Sequence, residues 1–267
     1  MNVIKPFNLK AENPQDLVNR LFEERMKSPS QSHGHKGKSG GPPQVETTPN
    51  NDFWTIPNVR YRSVVGSYDL AKELFPAQTQ EKHIAHAKKA MKKGEFFIPN
   101  SQLSHSIVRA LYLQRDSDNL SVKGIKEFLN ISMINKWLMT STRIIYNPNS
   151  PDTIIHNHGL SNEFKESLDF IGPDEWVKDT QTPDVYKALL GSNDTQEIQE
   201  IYNWLCSVPP RLYRFNSRPK KIEERVVGFY AYSGRVSFFC YDDWGLSDPA
   251  LSVRPHENFS TGNEVIK

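Results

Sequence analysis

Cysteine, long apolar runs and a dominant charge sign are all scarce in this 267-residue chain, and each scarcity removes a class of protein. Two cysteines, Cys206 and Cys240, cannot form the disulfide framework of a small secreted fold, and they point to a reducing compartment. No window reaches the roughly 18 uncharged apolar residues of a membrane helix, and the opening MNVIKPFNLKAENPQD lacks the apolar stretch of a signal peptide. The expectation is a cytoplasmic protein with no membrane partner. Its 33 basic and 31 acidic residues, net +2, are not the footprint of a dedicated nucleic-acid binder.

Familiar catalytic motifs are missing as well. There is no Gly-x-Ser-x-Gly elbow and no Gly-rich phosphate loop leading into a helix, and neither cysteine has neighbours that would lower its pKa. The adjacent carboxylates Glu223-Glu224 and Asp242-Asp243 point to opposite faces of any strand, so no general acid–base pair is implied.

What is present is a strongly patterned C-terminal ribbon, VVGFYAYSGRVSFFCYDDWGLSDPALSVRP. Ser233-Gly234 between two β-branched and aromatic runs predicts a hairpin with strands over 226–232 and 235–241. A two-residue turn then sets Ala231 against Val236, Phe229 against Phe238 and Val227 against Cys240 on an apolar flank facing the core. The other flank carries Tyr230, Tyr232, Arg235, Phe239 and Tyr241, with Val226 opposite Tyr241. Aromatic faces with polar tips suit recognition, although a covering helix would serve equally well. Asp242, Asp243 and Trp244 form a tip loop that could hold a cation or a basic partner, or simply make turn hydrogen bonds. A last short strand is expected over 250–254.

Upstream, Asn13-Pro14 starts a short amphipathic helix that ends near Lys27. Residues 28–52, rich in Ser, Gly and Pro and including His33 and His35, read as a disordered N-terminal linker, and 258–267 as a tail. Between them, one α+β domain is expected over 53–257, a helical middle interleaved with β-hairpins rather than alternating βα units. A strand is placed over 59–65, and a short helix over 70–75 behind Ser67. A lysine-rich helix over 78–93 is closed by Gly94. Further helices begin at Asn100 or Ser101 and at Ser121, the latter resuming over 133–139 after a break. A second hairpin covers 142–146 and 153–158, with a third strand over 164–171. Short helices start at Thr182 and Asp194, and 211–215 is extended.

Two histidine pairs have ligand-like spacing: His83 and His86 on a helix face, His156 and His158 alternating on a strand. A metal ion at His156 and His158, with a third ligand from His83, His86, His105 or a carboxylate, is the enzyme reading; without it no cofactor is expected. Lys82, Lys88, Lys89, Lys92 and Lys93 complement a helix dipole or, alternatively, contact phosphates. The basic run 211–221, interleaved with Tyr213 and Phe215, could line a groove for single strands.

The segments GEFFIPNSQLSH, KWLMTSTRIIYNP, IIHNHGL and FIGPDEWVKD, with the run from IYNWLCSVPP to ALSVRP, resemble uncharacterised proteins of small archaea. That archaeal resemblance covers roughly 94–254 and implies no activity. The closing hairpin, tip and ALSVRP strand are also similar to C-type-lectin-like and formylglycine-generating-enzyme-like tails. Ser252 stands where those have Gly, and the enzyme branch's reactive cysteines have no counterpart, so a lectin-like binding branch is what this resemblance implies. The combined expectation is a non-enzymatic module that recognises a protein or small ligand. A metal-dependent enzyme and nucleic-acid association are the alternatives.

Overall fold

The computed structural model describes residues 52–117, 119–232 and 234–256. The N-terminal helix, the linker with His33 and His35, and the C-terminal tail lie outside them. β1 (Phe53–Tyr61) and β2 (Val64–Ala71) form an antiparallel hairpin with Tyr61 opposite Val64, so the run read as one strand over 59–65 contains a turn at Arg62-Ser63. Arg62 has φ of 55°. Arginine in the left-handed region carries none of the Gly or Asn signature by which turns are recognised. The helix expected over 70–75 is also absent: β2 continues to Ala71 and β3 (Phe75–Gln78) follows. Leu70 is paired with Trp54 on one side and Val253 on the other, and this tertiary pairing overrides local propensity.

α1 (Gln80–Lys93) buries Ile84, Ala87 and Ala90 and ends at Gly94, φ 69°, as its pattern predicts. In α2 (Ser101–Tyr112) the Asn100 side chain accepts from Leu103 N, and in α3 (Leu120–Asn135) Asn119 caps Ser121 N. The expected helical resumption over 133–139 does not occur. α3 runs on to Asn135 and β4 (Leu138–Tyr146) begins, a run with β-branched residues that pairs on both edges. β5 (Asp152–His156) and β6 (Phe164–Leu168) complete a meander. After β7 (Glu175–Trp176) and a 3₁₀ turn (Val177–Asp179) come α4 (Pro183–Leu190) and α5 (Thr195–Cys206), with Asp194 accepting from Glu197 N. The chain ends with β8 (Pro210–Tyr213), β9 (Glu223–Tyr232), β10 (Arg235–Asp242), β11 (Asp248–Ala250) and β12 (Val253–Pro255).

The single last strand expected over 250–254 is thus two. β11 lies beside β4 in a large mixed sheet, ordered β3-β11-β4-β9-β10-β8-β7, with β5 attached to β4 and β6 to β5. β12 crosses to a small sheet, β1-β2-β12. Buried Asp69 fastens it there, accepting from Thr55 Oγ1 at 2.8 Å and Arg254 Nε at 3.0 Å, with His256 Nδ1 2.9 Å away. The fold is α+β, and α2 runs through its core. Nearly all of α2's side chains are buried, and its first two polar ones are satisfied internally: Ser101 Oγ donates to Leu189 O at 2.6 Å and Gln102 Nε2 to Ala188 O at 3.0 Å.

The C-terminal ribbon forms with Arg235 opposite Tyr232, Phe238 opposite Phe229 and Phe239 opposite Gly228. Beyond Phe239 the expected register fails. Val226 lies opposite Asp242 rather than Tyr241, because one residue, Val227, faces two on β10 and three, Thr140 to Thr142, on β4. Bulges on both neighbours meet at Val227, whose carbonyl accepts from Thr140 Oγ1 at 2.6 Å. Val227 and Cys240 are nevertheless both buried. The outer side of Gly228 is roofed by Trp137, and a Cβ there would sit 2.4 Å from the indole. Gly228→Ala is expected to push the indole off the sheet and cost about 1–3 kcal/mol, read as a lower urea midpoint and a red-shifted tryptophan emission.

Candidate functional site

The outer flank of the ribbon continues across β8 and β7 as one layer of rings and guanidinium groups. Parallel pairing of β8 with β10 sets Arg211 beside Ser237 and Tyr213 beside Phe239, and Trp176 lies opposite Arg211. The Arg211 guanidinium lies 5.4 Å from the Trp176 ring and 4.8 Å from that of Tyr213, and Arg235 lies 5.2 Å from the Tyr213 ring. Tyr213 stacks on Phe239 at 5.5 Å, and Phe239 meets Trp137 edge-on at 6.3 Å. Such cation–π contacts hold long side chains flat on a sheet. At the ribbon's turn Tyr230 and Tyr232 stack at 5.9 Å, with Tyr232 62% exposed. Of Tyr241 only its place in the β10 bulge is described.

The tip residues do not join this face. Asp242 to Trp244 lie at the far end of β10 from Tyr232, about 20 Å along the strand at ~3.3 Å per residue. Asp242 Oδ1 accepts from Asp243 N at 2.9 Å and Asp243 Oδ1 from Gly245 N at 2.8 Å, which is turn chemistry. Burial raises the Asp242 pKa, against the smaller lowering effect of the hydrogen bond from Asp243 N. Trp244, 44% exposed, faces Arg143 at 5.7 Å. Arg143 in turn donates to Gln80, Glu81 and Glu224.

The histidines are spread through the fold. β5 ends at His156 and Asn157 adopts φ 53°, so His156 and His158 do not alternate on one strand face as expected. His156 is fully buried, its Nδ1 3.1 Å from Thr142 Oγ1 and its Nε2 2.8 Å from Ala188 O, so a metal ion would have to displace one of these contacts. His83 is likewise engaged at both nitrogens, by Gln78 and Asp248 O. His86 shares its helix face, and both rings pack on Phe75. No cluster of three potential ligands from His, Cys, Asp and Glu occurs among the described residues. Both thiols are buried and pushed up to about 12 by desolvation, which leaves them unreactive. Lys82, Lys88, Lys89, Lys92 and Lys93 all lie on the exposed side of α1.

A cleft of about 840 Å³ lies away from the ribbon. Asn58, Arg60 and Arg62, alternating along β1 and its turn, form one wall. Gln102, His105, Ser106, Arg109 and Leu113, spaced along one face of α2, form a second, and Phe164, Lys187 and Ser192 contribute from β6, α4 and the turn after it. Glu197 grips Arg109 in a bidentate pair, Nε to both carboxylate oxygens at 2.9 Å and Nη2 to Oε1 at 2.8 Å. The Arg62 guanidinium lies 4.2 Å from the Phe164 ring. Within the cleft lining, His105 is buried with Nδ1 3.3 Å from the Tyr202 hydroxyl, and its Nε2 has no protein partner. Burial, reinforced by Arg109, lowers its pKa to about 3. From the sequence, His105 was expected only as a candidate third metal ligand, and no other residue of this lining was assigned to a site. The available signal was the alternation Asn58-x-Arg60-x-Arg62, obscured by reading the turn as strand.

No family model, curated protein or solved structure matches this chain. Among the described residues no helix is long and apolar enough to cross a membrane.

Proposed function

We propose that the protein is a non-enzymatic recognition module whose contact surface is the outer face of β9, β10, β8 and β7. The observation that carries this reading is the continuous layer Trp176–Arg211–Tyr213–Arg235, extended through Phe239 to Trp137 and edged by half-buried Tyr230 stacked on exposed Tyr232. Rings held by one another lose little rotamer freedom on binding, so their contact area is used efficiently. The chemistry suits an extended protein segment presenting prolines or aromatic side chains, flat groups that stack on rings and accept hydrogen bonds from phenol and guanidinium. Asp242, Asp243 and Trp244 belong to a separate place on the molecule and are not part of this surface.

A peptide library selected on the wild-type protein should enrich proline- or aromatic-containing peptides. Their affinity is expected to fall about tenfold or more in a Tyr230→Ala/Tyr232→Ala variant, since buried tyrosines at interfaces contribute roughly 1–2 kcal/mol or more each. Peptides that bind the double variant as tightly as the wild type would remove the proposal. A second reading, single-stranded nucleic acid, draws on the same arginine–ring alternation and on the exposed lysines of α1. It requires a ten-nucleotide uridine oligomer to bind with steep salt dependence.

A further inference from the structure

We infer that the cleft between the β1–β2 hairpin, α2, β6 and the α4–α5 turn is a binding site for a small soluble phosphorylated metabolite. It is independent of the aromatic face, and none of the residues named there lines it. Three observations converge on an anion. Arg60, Arg62 and Lys187 line the cleft, and among the described residues none has a carboxylate within ion-pair distance, although carboxylates pair with most other arginines of the fold. Arg109 is oriented by Glu197 through Nε and Nη2, which leaves its Nη1 edge for another acceptor. The uncharged polar lining, Asn58, Gln102, Ser106 and Ser192, adds amide and hydroxyl groups able to donate. Behind them the buried His105 ring meets the Tyr202 hydroxyl through Nδ1 at 3.3 Å and leaves Nε2 without a protein partner.

Phosphate is favoured over a single carboxylate by the number of donors. Three guanidinium groups and one ammonium offset by Glu166 and Glu197 leave a formal surplus of two positive charges in the lining, matching a phosphomonoester dianion. Arginine forks suit its tetrahedral oxygens, and an excess of fixed cations beside a low-dielectric wall raises the local anion concentration. The volume of about 840 Å³ leaves room for an organic moiety beyond the phosphate, and Leu113, Leu190 and Phe164 offer it apolar contact. Backbone geometry fits the same wall: Asn58, φ 58°, and Arg62, φ 55°, are two of four non-glycine residues with positive φ among the described residues, and both line the cleft. The left-handed turn projects Arg62 over Phe164, which fixes a guanidinium that would otherwise be mobile.

The test is calorimetric titration of the full-length protein with inorganic phosphate, pyrophosphate and citrate at low salt, with flotation on phosphatidic-acid vesicles as a separate arm. Saturable one-to-one binding of pyrophosphate is expected, weakening with added KCl. It should weaken about tenfold or more in Arg60→Ser/Arg62→Ser and in Lys187→Ser, each change removing charge-assisted hydrogen bonds to the anion. These side chains are exposed, so the variants fold and their melting temperatures report it. Absence of saturable phosphate or pyrophosphate binding, equal binding by the Arg60→Ser/Arg62→Ser variant, or tighter binding of citrate would overturn the assignment. Binding to vesicles alone would overturn its soluble-metabolite part.

Discussion

Glu175→Ala is expected to lower the unfolding free energy by about 3–5 kcal/mol, the usual consequence of leaving a buried charge without its counter-ion. One oxygen of this carboxylate, Oε1, accepts from Thr182 Oγ1 at 3.0 Å, from the Tyr186 hydroxyl at 3.1 Å and from Thr180, and Arg214 Nη2 lies 3.1 Å away. The Arg214 side chain is 0% exposed, and its other side-chain bonds, Nε to Pro173 O and a 3.4 Å contact to Thr182, do not neutralise it. Burial, with Glu175 adding to it, raises the Tyr186 pKa, so the phenol stays a donor to this carboxylate. Arg214→Ala should lose a similar amount, but Glu175→Leu/Arg214→Met should lose far less than the two single changes together, because no uncompensated charge remains. Urea midpoints at constant m-value measure this, and additivity of the single losses would contradict it. The pair also bears on the recognition face. Glu175 and Arg214 stand next in sequence to Trp176 and Tyr213, so loosening this anchor should reduce peptide binding without touching a contact residue.

The ribbon was legible because its information is local: a Gly at the turn, and two-residue alternation on each side. Its bulge at Val227 was not, since it is imposed by the Thr140–Thr142 segment of a neighbouring strand through a side chain bonded to the Val227 carbonyl. Caps behaved similarly. Asn100 and Asp194 announce their helices because the side chain satisfies a nearby amide, whereas Asn119 caps a helix that the sequence was read to start at Ser121, and the Arg62 turn and the change of sheet between β11 and β12 are set by partners far away in sequence. Candidate sites erred in both directions. Contiguity made Tyr232 and Trp244 look like one surface, but an extended strand carries them apart. Arg211 and Tyr213, singled out only as part of a basic run, were brought beside Arg235 and Phe239 by a parallel pairing that composition does not encode. The cleft needed two stripes, on β1 and on α2, each legible alone and meaningful only once the helix is threaded through the core beside the hairpin.

Acid should destabilise this fold well before its carboxylates titrate. His156 and His105 are held neutral, their pKa values lowered from 6.5 to about 4 and about 3 by burial, with positive charge nearby on Arg62 and Arg109 respectively. Above pH ~6.5 neither folded nor unfolded chain binds these protons, and stability is fully expressed. Below it the unfolded chain takes up two protons that the folded chain refuses, so the unfolding free energy falls as pH falls, by about 1.4 kcal/mol per pH unit per histidine. By pH ~4 each contributes a loss of about 3 kcal/mol, together a large part of the roughly 5–15 kcal/mol that holds an ordinary domain folded. His83 and His158, also lowered by burial, act in the same direction, and Asp242 and Asp248, raised by burial, oppose it. His156→Gln keeps an amide donor for Ala188 O and an acceptor for the Thr142 hydroxyl while removing the titration. Its stability, compared with wild type by urea unfolding from pH 7.5 to 4.5, should start lower and fall with a visibly shallower slope. Equal slopes would mean that His156 is protonated in the folded chain, and the buried network joining it to Thr142, Ser101 and Leu189 O would then have to accommodate a charge that its geometry gives it no carboxylate to balance.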